Sequence, residues 1–434
     1  MVKILELKEE IQSLYSLLNE QESVWFPVWI DHEKHPVTND LSFIYIRVGN
    51  DDYLLPVSHS ETIGADKRVV SMLISNGKPK WMFQTKRFLH SLDKNDDYPT
   101  IYDVDSNYFL QTGQTINYDK YIDPLLSEWI RKGYKDNLPT SIPIYRWTTA
   151  LRSLVLDYSS YYTTIHSDFN WYNSYVIPIL SQIERNGVGV DSEKFLDRFG
   201  EAHLKHVTEQ NRIYTEYNPF VVTGRPSSRH GGINFAALNK SDGTRKCFIP
   251  SYRFILMDYD AYHIRLIGKL IGYRLPKESA HQWLADQYGM DYESAKKTTF
   301  RLLYGGIDDE FKDIPFFEQT DRYIQRLWKD TEQNGYLRTT RRKIPLEWIE
   351  EPNPQKVFNY LLQATETERN IIILKSVMGF INDRPINLAL YNYDSFLFDV
   401  PPTITKSDLT GLQSVLQEGG FPVKISSGMN FDEV

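Results

Sequence analysis

The run Phe254-Ile255-Leu256-Met257-Asp258-Tyr259-Asp260-Ala261-Tyr262-His263-Ile264-Arg265-Leu266 decides how this chain is read. Four apolar residues of strand character end at a carboxylate, and the segment then turns helical. An aspartate at the exit of a buried strand is held rigidly and can project into a cleft, although capping the following helix would also put one there. A second run, Leu390-Tyr391-Asn392-Tyr393-Asp394-Ser395-Phe396-Leu397-Phe398, sets Asp394 inside another strand pattern. Charge beside a core sheet is costly unless paired or metal-bound, and a plain turn aspartate is the competing reading. Between them, Lys296, Phe300 and Tyr304 recur every four residues and share one helical face, with Gly305 next. Two carboxylates from distant strands can hold a pair of Mg²⁺ ions. An ammonium beside two rings suits a nucleotide, with phosphate at the cation and sugar and base against the rings. An amphipathic helix with core rings gives the same spacing.

The chain has 434 residues, 41% hydrophobic and 24% charged, which is enough for two to four domains. One cysteine, Cys247, excludes intramolecular disulfides and multi-cysteine zinc sites and fits a reducing compartment. The charged, periodic start reads as neither a signal peptide nor a membrane span, so no membrane partner is expected. A net charge of −8 argues against nucleic acid as a partner on average. Basic residues nevertheless gather at Arg225-Arg229-Lys240-Arg245-Lys246, at Lys296-Lys297-Arg301 and at Arg338-Arg341-Arg342-Lys343, as a local phosphate-binding channel would require.

Periodicity predicts a helix over 1–20 and strands over 24–30, 42–48 and 53–57, with α/β character to about residue 165. It predicts a helix over 171–186, stopped at Asn186-Gly187, and one long polar helix over 192–216. Residues 223–250 read as irregular and basic, 261–380 as helical, and the last fifty as strands.

Taken together, these segments resemble the family A DNA polymerases, the group of bacterial DNA polymerase I and several phage replicases. The Asp258 segment is similar to motif A (Asp-Tyr-Ser-x-Ile-Glu-x-Arg), Lys296 through Gly305 to motif B, and Tyr393-Asp394-Ser395 to motif C, usually His-Asp-Glu. Thr223-Gly224-Arg225-Pro226-Ser227-Ser228 resembles the Thr-Gly-Arg-Leu-Ser-Ser stretch, and Asn359-x3-Gln363 a palm helix that touches primer–template. Pro178 to Val188 also agrees, so the resemblance spans roughly 171–434. It implies that Asp258 and Asp394 are catalytic and bind two Mg²⁺ (Mn²⁺ able to substitute), with the Tyr259 carbonyl a further ligand. Lys296 would contact the triphosphate, Phe300 and Tyr304 would line the sugar and base pocket, and Arg225, Arg265, Asn359 and Gln363 would touch DNA.

Three departures carry consequences. Tyr292 stands where motif B usually has Arg, so one triphosphate contact is either missing or supplied elsewhere, with Arg301 the candidate. His263 replaces the motif A Glu that excludes a ribose 2′-hydroxyl, and is expected to do that job more weakly. Ser395 replaces the second motif C acid. The short stretch 191–222 stands where the family has its thumb, which implies a vestigial thumb helix and low processivity without a processivity factor or other replication protein.

The N-terminal part is similar to the family's 3′–5′ exonuclease domain. Asp31 and Glu33 retain an Asp-x-Glu pattern, but Phe88 and Thr149 fall where the other two acids are expected, with Asp103 or Asp105 as candidate substitutes. A site without proofreading is the expectation.

The expected fold is thus an α/β multidomain protein: a ribonuclease H-like 3′–5′ exonuclease-type domain (1–165), then a right-hand polymerase. The lead-in to the palm takes 166–190, the reduced thumb 191–222, palm 223–275, fingers 276–350 and palm again 351–434. The expected partners are primer–template DNA and deoxynucleoside triphosphates, and the expected place a bacterial or phage-infected cytoplasm. No 5′-nuclease domain is expected ahead of it. An RNA-synthesising relative, such as a primase or single-subunit RNA polymerase, and a catalytically inactive DNA-binding subunit are the alternatives.

Overall fold

The computed structural model describes residues 2–92, 98–133, 138–228, 233–276 and 279–434; Arg229 of the first basic cluster lies outside them. Internal contacts divide the chain into Met1–Arg185 and Asn186–Val434. Among the described residues no helix is long and apolar enough to cross a membrane.

The first unit is built on a six-stranded sheet. Its strands are β1 (Val2–Ile4), β2 (Ser23–Trp29), β3 (Leu41–Val48), β4 (Asp51–Pro56), β5 (Lys80–Met82) and β6 (Ile101–Asp103), in the order β1-β4-β3-β2-β5-β6. β2, β3 and β4 form an antiparallel meander, while β5 runs parallel to β2 and β6 to β5. Nearly every residue of β2 and β3 is buried, which is why those runs are mostly apolar rather than alternating. The helix expected from residue 1 begins only at Lys8, because Val2–Ile4 pairs with β4 as an edge strand.

The helix read over 171–186 spans Phe169–Trp171, a π-helical turn at Tyr172–Val176, and Ile177–Glu184. It falls within the first unit. Asn173 brackets β6, accepting from Asp103 N at 2.8 Å and donating to Ile101 O at 3.0 Å. The fully buried Glu184 takes Lys86 on one oxygen and His90 on the other.

In the second unit Val188–Val190 is a strand, not the start of a helix, and lies between Phe248–Ile249 and Arg212–Ile213. The long helix expected over 192–216 is absent. A helix at Ser192–Phe199 stops at Gly200, whose φ of +77° an L side chain resists, and one turn at Glu201–Leu204 follows. The chain then returns as the Arg212–Ile213 strand, paired antiparallel with Val188–Gly189.

The central sheet orders Asn387–Asn392, Ser395–Val400, Arg253–Tyr259 and Val423–Gly428, all antiparallel. Phe254, Leu390 and Leu397 pack on Val188, Ile213 and Phe248 to form the core beneath it. Helices fill 262–334 and 354–381, interrupted by a hairpin of Tyr336–Arg338 with Lys343–Pro345. The closing fifty residues are not all strand: Lys406–Gln417 is a helix opened by a Thr405–Asp408 capping box.

Candidate active site

Antiparallel register brings the two distant aspartates together. Asp258 lies opposite Ser395, the residue after Asp394, and Tyr259 N donates to Asp394 O at 3.0 Å. Asp394 sits in the two-residue turn between Asn392 and Ser395, which forces Tyr393 to a left-handed φ of +62°. Asn370 Nδ2 donates to the Tyr393 carbonyl at 2.7 Å and holds that turn.

Burial, and then the charge of Asp394, pushes the Asp258 carboxyl up to about 7, against the opposing pull of Lys240 and Lys424. Asp394 is raised by burial and by Glu366, with His263 and Arg225 opposing. Two neighbouring half-buried carboxylates that resist ionisation present hard oxygen donors that a divalent cation such as Mg²⁺ or Mn²⁺ fits. Tyr259 is anchored beside them, its hydroxyl donating to Leu416 O at 2.8 Å.

The strand-to-helix junction after Asp258 is a tight one. Ala261 takes φ +52°, and the helix Tyr262–Ile271 begins directly behind it. Arg265, expected at DNA, is instead committed to this junction. Its guanidinium is nearly buried and bonds Asp260 O and Oδ2 at 2.9 Å and Pro276 O at 2.8 Å.

Lys296, Phe300 and Tyr304 lie on the helix Tyr292–Gly305, capped by Asp291. Phe300 and Tyr304 stack with centroids 5.9 Å apart and planes 6° from parallel, and Phe300 keeps 37% of its surface exposed. Arg301 does not join them. Five residues past Lys296 it points about 140° around the helix, and it pairs on the surface with Asp308 at 2.6 Å. Asn359, expected at DNA, donates to Tyr304 O at 3.2 Å, and Gln355 caps Leu303 O, so the long helix Pro354–Ile381 satisfies carbonyls that the Lys296 helix leaves free. Gln363 follows one turn later and is half-buried.

His263 shares a hydrogen bond between Nδ1 and the Tyr304 hydroxyl. Its Nε2 lies 3.4 Å from Glu366 Oε1, while Arg225 Nε lies 2.9 Å from Glu366 Oε2. The Arg225 guanidinium sits 3.6 Å over the Tyr393 ring.

Three residues that the motifs did not single out belong here. Glu366 stands seven residues after Asn359, on the same helical face, but in a polar run that gave it no signal of its own. His281 follows the N-cap Ser279 in the first turn of the helix Ala280–Tyr288 and packs 5.8 Å from Phe300. Burial, then the Lys296 charge, lowers its pKa, and its buried Nδ1 has no hydrogen bond. Lys424, the cross-strand partner of Asp258, salt-bridges Asp260.

In the first unit Asp31 spends its carboxylate on Glu33 N at 2.9 Å, and Glu33 is exposed. Phe88 is wholly buried in the core and Thr149 is exposed. Asp103 caps Ser106 N at 3.0 Å, and Asp105 accepts from Gln84 N at 2.7 Å and Tyr118 at 2.6 Å. Among the described residues no three or more His, Cys, Asp or Glu side chains converge as a metal-binding group.

The chain is similar in fold to the POL domain of Pol1 from M. smegmatis, solved in complex with DNA primer-template and dNTP, with a TM-score of 0.72, 14% identity and 100% of each chain covered. It therefore has a polymerase-domain fold. No family model and no curated protein matches it.

Proposed function

We propose that this chain is a template-directed DNA polymerase of the family A type, extending a primer 3′-hydroxyl with deoxynucleoside triphosphates. The observation that carries the reading is the adjacency of Asp258, near the end of its strand, and Asp394, in the turn before the paired strand, two half-buried carboxylates. When bound by them, with the Tyr259 carbonyl, Mg²⁺ supplies neutralisation of charge at the attacking hydroxyl and the leaving pyrophosphate. Lys296 and His281, at the same end of the fingers-type helices, face the triphosphate. Phe300 and Tyr304 offer one flat surface to base and sugar, and Arg225, Asn359 and Gln363 line the primer–template side.

The strand order β4-β3-β2-β5-β6, with an antiparallel meander followed by parallel strands, supports a ribonuclease H-like first unit. Core burial of Phe88 and the local engagement of Asp31 support loss of proofreading there. Two short helices and two short strands in 191–222 support a reduced thumb and hence low intrinsic processivity.

The test is primer extension with Mg²⁺ by wild type and Asp394→Ala, scored for product length and primer degradation. Extension by wild type alone, without shortening of the primer, is expected. A wild-type chain that binds primer–template and never extends it overturns the assignment.

A further inference from the structure

We propose that Glu366 is a positioning residue for the incoming nucleotide, acting through His263 on Tyr304; this rests on the polymerase reading above. Glu366 is 1% exposed on the helix Pro354–Ile381. A carboxylate so buried persists only where cations or donors hold it. Its two oxygens face different partners, Oε1 toward His263 Nε2 and Oε2 toward Arg225 Nε. Neither contact is aligned as a hydrogen bond, so the attraction is one of charge.

The consequence falls on the imidazole. Negative charge at Nε2 favours a proton there, which leaves Nδ1 to accept from the Tyr304 hydroxyl. That bond sets the rotation of the Tyr304 ring, and the ring is parallel to Phe300. Through Arg225, lying over Tyr393, the same carboxylate also touches the turn that carries Asp394. One side chain thus ties the ring surface offered to the nucleotide to the turn bearing a catalytic carboxylate. Removing its charge frees the tautomer of His263 and the rotation of Tyr304 while leaving the side chains of both aspartates in place.

Steady-state insertion of a single nucleotide tests this with wild type, Glu366→Gln, Glu366→Asp, His263→Ala and the double variant His263→Ala/Glu366→Gln. Glu366→Gln is expected to raise KM for the deoxynucleotide about ten-fold with kcat changed less than about three-fold, and to lower the preference over the matching ribonucleotide. The double variant is expected to be no worse than His263→Ala, because the second change acts through the first. Wild-type KM in Glu366→Gln, a loss confined to kcat, or additive effects in the double variant overturns the inference. Glu366→Asp, which keeps the charge at shorter reach, is expected between wild type and Gln; it carries the test if Glu366→Gln does not fold, and an unchanged KM overturns the role. A wild-type chain that extends no primer sinks the polymerase assignment and this inference together, whereas an active wild type with an unaffected Glu366→Gln sinks this inference alone.

Discussion

Asp258 shows how one residue is set by opposing demands. Its carboxyl is raised to about 7 by burial and by Asp394, an arrangement that costs stability and is useful only when a cation is drawn to both. Asp258→Asn and Asp394→Asn are each expected to reduce primer extension about a thousand-fold or more, in a gel assay with Mg²⁺. Each is also expected to raise the thermal midpoint in chelator, since like-charge repulsion is relieved. Equal loss of activity and of stability would instead mark a folding defect. The strand exit at Asp258 and the turn at Asp394 were legible as charges ending or interrupting apolar runs. Glu366 was not, because its meaning lies in His263 and Arg225, which are remote in sequence.

At the scale of elements, the junction behind Asp258 depends on Arg265. The sequence offered it as a DNA contact, since an arginine on a helix near a basic site reads the same whether it faces out or in. The structure turns it inward on Asp260 and two carbonyls. Arg265→Ala is therefore expected to destabilise the fold by roughly 2–3 kcal/mol, less than a fully orphaned buried charge because Lys424 still pairs Asp260. Urea unfolding measures this; weakened DNA binding at unchanged stability would restore the DNA role. Asn359→Ala, removing one donor to the end of the Lys296 helix, is expected to cost about 1 kcal/mol in the same experiment. The failed helix over 192–216 teaches a related lesson. Polar periodicity suggested it, but Gly200 and pairing with the Val188–Val190 strand carried the chain elsewhere.

At the scale of the whole molecule, buried acids make stability depend on pH. Asp105 lies in the first unit, its carboxyl raised to about 7 by burial and by Asp103. Folded, it keeps its proton between about pH 4 and 7, where the unfolded chain has lost it, so stability falls as pH rises through that window. Thermal unfolding of wild type and Asp105→Asn is expected to show the variant's advantage growing from about pH 4 to about pH 7 and levelling off above; a constant difference would refute this. Net charge of −8 with local basic clusters predicts short products under single-hit conditions, shortening further with salt. Long uninterrupted extension by the isolated chain would contradict the reduced thumb.

By itself the sequence determined the strand runs, the Lys296 helix and the positions of both aspartates, because apolar periodicity and a charge set against it are local properties. Only the tertiary structure decided that Asp258 and Asp394 are neighbours, that Arg265 and Arg301 are spent on internal or surface pairs, and that Glu366 faces His263. Strand register and helix packing create those distances, and neither is a property of any short segment of chain.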